Sequence, residues 1–417
     1  MDKRYLIIVG AVLVQAVTIG CVFGYGVFFT VLESEFGWSR GLLSIATSLA
    51  FFNMGIFAIA AGRLTDRFGP RGVLLFTAMS TGLAYVLMYF LSAPWQLLAI
   101  YGLLVSPGLA THDVVTLSTV ARWFPRRRGM VSGIVKVGAG AGQMLIPVVT
   151  VGLIALFGWR EAFAVLGISA LCLLGFAAML VGFKPGDPVS AKSVENSAAD
   201  PQINSMIDKQ PVAAQGFSMR EAKKRPEFRL LCAMQFFQFG TLITIPTHIV
   251  PHGIDSGLSP AGAAAVLSAI AASSIAGRLV TGGIVDRIGG KRSINICLFL
   301  LFASVVSLLF IVNNTWLYAF GVLYGFAHGG LFTVMSPTVA EYFGMRSHGA
   351  IFGVVVFTGT VGGALLPIAT GLIFDKLQSY QWAFLLLATM VLISFLLSLR
   401  LSPSQLQQTA NTTSDVS

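Results

Sequence analysis

Apolar residues in this chain come in runs of 20 to 30, broken by short polar stretches, and not in the period-two alternation of strands or the narrow stripe of a surface helix. About 20 apolar residues in helical form suffice to cross a hydrocarbon core. Twelve such runs occur, at 5–30, 41–63, 72–92, 95–122, 129–157, 160–182, 229–253, 259–285, 293–313, 315–342, 349–374 and 380–401. They are rich in Gly and Ala as well as Leu, Ile, Val and Phe, which suits helices packed closely in lipid, whereas a β-barrel needs alternating segments of about ten residues. The pattern predicts an all-α membrane protein with twelve transmembrane helices. The first run has no small-residue cleavage site before the next polar segment, so it is expected to remain as a helix and not to be removed as a signal peptide.

Composition agrees: 417 residues, 55% hydrophobic and 11% charged, with a mean hydropathy of +0.81, lie outside the range of soluble domains. The net charge of +10 would suit nucleic acid, but its placement argues otherwise. Of 27 Lys and Arg, 22 fall in the termini and in the alternate loops 63–71, 122–128, 184–229, 287–292 and 346; the opposite loops hold only Arg40, Arg160 and Lys376. That is the positive-inside bias, and it predicts a multi-pass plasma-membrane protein, in a bacterium the inner membrane, with both termini cytoplasmic. The basic balance then reports topology and contact with anionic lipid, with no nucleic-acid partner. Cys21, Cys172, Cys232 and Cys297 sit in four different runs, a spacing that fits neither a disulfide framework nor a metal site.

Residues 185–226 interrupt the hydrophobic pattern with Pro185, Pro188, Ser190, Asn196 and Pro201 and scattered charges. The expected organisation is an N-terminal six-helix bundle over 1–184, a cytoplasmic linker over 185–226, a C-terminal six-helix bundle over 227–403 and a polar tail over 404–417. The halves repeat. Gly62-Arg-Leu-Thr-Asp66-Arg67-Phe-Gly69 closes the second run, and Gly282-Gly-Ile-Val-Asp286-Arg287-Ile-Gly289 closes the eighth, at the corresponding place in the second half. At the same offset along the chain Gly133 meets Gly353, Gly142 meets Gly362 and Pro147 meets Pro367. Both halves are built on one plan.

The twice-occurring G-x-x-x-D-R-x-G pattern resembles the loop motif of the major facilitator superfamily. In it a Gly lets helix ends approach, an Asp can accept hydrogen bonds from a helix N-terminus, and Arg67 and Arg287 would lock that side in one state and release it in another. The resemblance covers essentially the whole chain. It implies two six-helix bundles around a central site that opens alternately to each side, with no enzyme activity, no cofactor and a single chain as the functional unit.

Ionisable residues inside membrane spans are costly and mark function by default. Arg278 lies in the eighth run, about 12 Å of helix rise from Asp286, with no acidic residue in its own run to offset it. A buried guanidinium matches a carboxylate in bidentate fashion, so Arg278 is the principal candidate for binding an organic anion. Lys136 and Asp113 lie at nearly equal separations along the chain from the turn at Pro125. An antiparallel hairpin brings them to one depth, where they can neutralise each other or serve proton coupling; the alternative is that Lys136 is a second cation for the substrate. His112 and His328 are further proton-coupling candidates. Among uncharged residues Tyr25, Gln143 and Tyr324 rank first as cavity-lining candidates; Phe29, Asn53, Gln235 and Gln238 follow.

Arg122-Trp-Phe-Pro-Arg-Arg-Arg-Gly129-Met-Val-Ser-Gly133 is similar to the fifth-span signature of the monocarboxylate transporter family and its bacterial oxalate/formate relatives. Arg278 falls where those families place a substrate-binding arginine. The chain departs from them in having Ser274 where animal members carry an acidic residue, no charge in Gly20-Cys-Val-Phe-Gly24-Tyr25-Gly26, and no lysine before Asp375 in the eleventh run. The expectation is therefore a proton-coupled carrier of a small monocarboxylate such as lactate or pyruvate. The alternatives are an oxalate/formate-type exchanger, a carrier or efflux pump for a larger or uncharged solute, and a sensor that has lost transport.

Overall fold

The structure is a computed structural model that describes residues 3–38, 40–181, 216–310 and 314–402. The expected tail over 404–417 and the linker up to residue 215 lie outside the described residues. Twelve helices are long and apolar enough to cross a membrane. In chain order they are α1 (Lys3–Phe36), α2 (Arg40–Phe68), α3 (Pro70–Leu87), α4 (Pro94–Trp123), α5 (Arg128–Phe157), α6 (Trp159–Leu180), α7 (Pro226–Asp255), α8 (Pro260–Ile288), α9 (Gly290–Ser307), α10 (Asn314–Phe343), α11 (His348–Leu377) and α12 (Gln381–Leu399). Among the described residues there is no strand, only one isolated bridge between Gly216 and Gly344.

Local chemistry places the helix ends. α1 runs past its apolar stretch to Phe36 and stops at Gly37, whose φ of 64° an L side chain would resist. The last glycine of each repeated motif, Gly69 and Gly289, has φ 83°, a turn that lets α3 follow α2 and α9 follow α8 with no intervening loop. Within α4, a π turn at Ile100–Val105 precedes Pro107, and Ser106 Oγ donates to the carbonyls of Tyr101 (2.9 Å) and Gly102 (2.7 Å). The end of the linker is described: a short helix, Met219–Lys224, capped by Ser218, sits beside the α10–α11 turn through a bond from Phe217 N–H to Phe343 C=O at 2.9 Å.

The bundles, α1–α6 and α7–α12, meet along two pairs of helices related by the repeat: α5 with α8, and α11 with α2. In each pair the backbones touch. A Cβ added to Gly133 would collide with the Arg278 carbonyl, and one added to its mate Gly353 would stand 2.5 Å from the carbonyl oxygen of Ala58, the mate of Arg278. On the neighbouring faces of α5, Gly138 and Gly142 press on the α1 carbonyls of Val12 and Ala16, while Gly140 faces the Arg278 guanidinium. The glycine-rich stretch of α5 thus lets one helix contact its neighbours at backbone distance.

These contacts belong to the half of the molecule that carries the basic loops. Towards the other end α5 presents Met144, Val148 and Leu156 with 65%, 70% and 75% of their surface exposed. The halves are closed against each other at the basic-loop end.

A leucine at Gly142 has no room, whereas Gly152 has nothing within 4 Å of where its Cβ would be. Gly142→Leu should therefore destabilise the protein by about 1–3 kcal/mol or more, and Gly152→Leu should be neutral. Thermal unfolding of both variants in detergent checks this.

Candidate functional site

The charged residues of the spans converge where α4, α5 and α8 meet. Lys136 Nζ of α5 lies 2.5 Å from Asp113 Oδ1 of α4. Gln15 of α1 donates its amide to the same Asp113 oxygen at 3.0 Å and to the His112 carbonyl at 2.8 Å. His112 sets Nδ1 against the Leu109 carbonyl and holds Nε2 3.4 Å from Asp113 Oδ1. An imidazole in that position satisfies both nitrogens as donors only when protonated.

Arg278 reaches the cluster from the other bundle. Its Nη1 donates to the Lys136 carbonyl at 2.8 Å, a hydrogen bond that crosses between the halves. Its Nε is buried without a hydrogen-bond partner, and no carboxylate of the described residues forms an ion pair with it. Two cations and one carboxylate leave the cluster with one positive charge in excess. The repeat shows that packing does not demand these charges: the equivalent positions to Arg278, Lys136 and Asp113 in the opposite half hold Ala58, Val356 and Phe332.

Beside the cluster, between the halves, is a cavity of about 20 Å³, room for one water molecule. Asp113, Gln235 and Gln238 are its polar lining; Met54, Phe332 and Phe352 are among its apolar walls. The Lys136 ammonium stands 4.9 Å over the Phe332 ring, so the charge pair abuts this cavity.

The sequence-derived candidates distribute unevenly around it. Asp113 lines the cavity; Lys136 and Arg278 stand behind it. Tyr25 and Tyr324, expected to offer hydroxyls to a cavity, do not line it: Tyr25 donates to the Leu43 carbonyl at 3.1 Å and Tyr324 to the Leu242 carbonyl at 3.1 Å. Gln143 is half-buried on α5 and is not in the lining. His328 Nδ1 is 3.1 Å from Ser274 Oγ, and its ring lies between those of Tyr324 and Phe332. Asn53, a lesser candidate, donates to the Gly102 carbonyl at 2.8 Å. Gln15 was missed; the signal for it was its repeat mate, Gln235.

At the basic-loop end the motif aspartates do what their spacing suggested. Asp286 accepts from the backbone N–H of Gly129 (2.7 Å) and Met130 (2.9 Å) at the N-terminus of α5. Asp66 accepts from Gly349 (3.1 Å) and Ala350 (2.8 Å) at the N-terminus of α11. Gly62 and Gly282 give these helix ends their close approach. The motif arginines take a different part from the one expected: Arg67 and Arg287 are exposed, Arg67 lying over the Phe68 ring, and the cation paired with Asp66 is Arg122 of α4.

The Major Facilitator Superfamily model matches residues 11–314 and 255–415. The chain belongs to that superfamily. It is 24% identical over 365 residues to the uncharacterized MFS-type transporter YhjX of Escherichia coli, covering 86% of this chain and 85% of that one. It is 25% identical to monocarboxylate transporter 13 of Bos taurus, over 93% and 87% of the two chains, and 26% identical to monocarboxylate transporter 11 of Homo sapiens, over 93% and 80%. In fold it is similar to the transporter FucP in its outward conformation (TM-score 0.70, 12% identity, 94% of this chain and 98% of that one). The proton:xylose symporter XylE gives the same TM-score at 14% identity, over 96% of each chain. Family and fold are those of multi-pass membrane transporters and not of enzymes.

Two outcomes follow from the geometry. Asp113→Asn or Lys136→Gln alone leaves a buried charge without its partner and should cost about 3–5 kcal/mol; the double variant should cost well under the sum, as measured by a thermal-unfolding double-mutant cycle. Asp286→Ala removes two charge-assisted bonds that exist only while α5 and α8 are together. Transport should then slow about tenfold or more while substrate affinity in calorimetry stays within about twofold, because the carboxylate is at the loop end and not in the cavity.

Proposed function

We propose that this protein is a secondary transporter of a small organic monoanion, a short monocarboxylate such as lactate or pyruvate, coupled to a proton and working by alternating access. The observation that carries the reading is Arg278. It is a buried guanidinium with no ion-paired carboxylate among the described residues, one charge in excess of the Asp113–Lys136 pair. A charge at the centre of a membrane helix costs about 2.5–3.5 kcal/mol to insert, and a mobile anion offsets it where packing could have used alanine, as at Ala58. With His112 neutral, one excess charge suits one carboxylate. The names of the monocarboxylate transporters among the relatives support the same class.

Proton coupling rests on His112. Protonated, it donates to both the Leu109 carbonyl and Asp113, and it then competes with Lys136 for the carboxylate. A freed Lys136 adds a cation beside Arg278, so proton and anion favour each other's binding. The distribution of basic loops supports a cytoplasmic location for that end and for both termini, in the inner membrane of a bacterium. The structure described above then corresponds to a state closed to the cytoplasm, held by Asp66 and Asp286.

In proteoliposomes Arg278→Gln should abolish uptake of short carboxylates while the protein still inserts and unfolds cooperatively. Arg278→Lys keeps the charge but loses the planar fork, and should weaken carboxylate binding at least about tenfold. Wild-type uptake and affinity in Arg278→Gln would remove the anion assignment and favour a larger or uncharged solute.

A further inference from the structure

With the charges assigned, the cavity keeps one polar feature that the anion reading does not use. Gln235 and Gln238 stand on one face of α7, nearly one helical turn apart. Gln238 Nε2 donates to Gln235 Oε1 at 2.6 Å, and both side chains line the cavity. Gln238 is 1% exposed, and its Oε1 is buried without a hydrogen-bond partner. The wall around it is apolar, with Phe239 and Leu242 on the same helix and Phe332 and Phe352 from α10 and α11.

The repeat explains how this amide comes to be unspent. Gln235 is the mate of Gln15, whose amide is bound to Asp113. In the second half the position of Asp113 is Phe332, by the register that matches Val120–Phe124 to Val339–Phe343, and it offers neither charge nor hydroxyl. Gln235 therefore turns to Gln238, which replaces the mate position Thr18, and the pair ends in an open acceptor at the cavity. One half of the molecule uses the repeated glutamine to hold a carboxylate in place; the other half has the glutamine and no carboxylate.

We propose that Gln238 is a specificity-determining residue whose Oε1 accepts a hydrogen bond from a hydroxyl group of the substrate, so that the site selects short hydroxy acids over the corresponding unsubstituted and oxo acids. The inference rests on the organic-anion reading: Arg278 takes the carboxylate and Gln238 the hydroxyl. An acid without the hydroxyl displaces the water for which the cavity has room and leaves the amide oxygen with no donor. Sites built to hydrogen-bond a substrate hydroxyl reject analogues that lack it for this reason.

The test is competition against labelled lactate uptake in proteoliposomes, with lactate, propanoate and pyruvate as competitors. The wild type should prefer lactate to propanoate and to pyruvate by about tenfold or more. Gln238→Met, of similar length and apolar, should bring the three affinities within about threefold, chiefly by weakening lactate, and Gln238→Leu serves if the methionine variant does not fold. Equal affinities in the wild type, or a preference retained in the folded variant, would overturn the inference. So would a preference for pyruvate, because the amide would then be presenting its NH2. If no acid binds the wild type, saturation by any of them being absent, the anion reading itself falls and this one with it. If all three bind and depend on Arg278 but not on Gln238, only the present inference fails.

Discussion

Two carboxylates hold this structure in the state described. Asp286 and Asp66 each sit at the end of one helix and accept two backbone N–H groups from the first turn of a helix in the other bundle. The first N–H groups of a helix have no partner within the helix, and its dipole favours negative charge there. The bonds are strong only while the helix ends are in contact, and Gly62 and Gly282 permit that contact. An interaction of this kind can be broken and remade at small cost: it is charge-assisted, it is made at the loop end where water can replace it, and it leaves no buried charge when broken.

The same repeat that makes the locks symmetric exposes what is asymmetric. Ala58, Val356 and Phe332 occupy, in the opposite half, the places of Arg278, Lys136 and Asp113. The backbone crossings are nevertheless the same: Gly133 against the Arg278 carbonyl, Gly353 against that of Ala58. The fold and the contacts between the bundles are thus carried by glycines and motif aspartates common to both halves, and the buried charges by side chains particular to one. The excess charge of Arg278 and the open amide of Gln238 lie in the second bundle, while the paired charges of Asp113 and Lys136 lie in the first. A ligand that engages both bundles bridges the interface that the Arg278 to Lys136 hydrogen bond already spans.

The twelve spans, the duplicated plan and the repeated glycine–aspartate motif were legible in the sequence because each depends on composition or on local spacing. A hydrocarbon core demands about 20 apolar residues whatever the neighbours are, and a carboxylate one turn after a glycine at a helix end has few other uses. Arg278 stood out for a similar reason, since charge in a span is conspicuous. The matching depths of Asp113 and Lys136 were also readable, from their separations from Pro125.

Tertiary structure decided which polar groups were already spent. Tyr25 and Tyr324 have the side chains of binding residues, but neighbouring helices offer their hydroxyls carbonyls, a matter of rotation about the helix axis that spacing does not report. The cation for Asp66 is Arg122, two helices further along the chain, and not the adjacent Arg67, because α4 returns to the loop end beside α2. Gln15 and Gln235 are equivalent in sequence and opposite in role, since only the packing of α1 on α4 supplies a carboxylate. The sequence by itself determined a duplicated membrane fold with its repeated motif and its buried charges; the packing of the helices decided which of its polar atoms remain unpartnered, because a hydrogen bond is a pairwise contact between segments far apart in the chain.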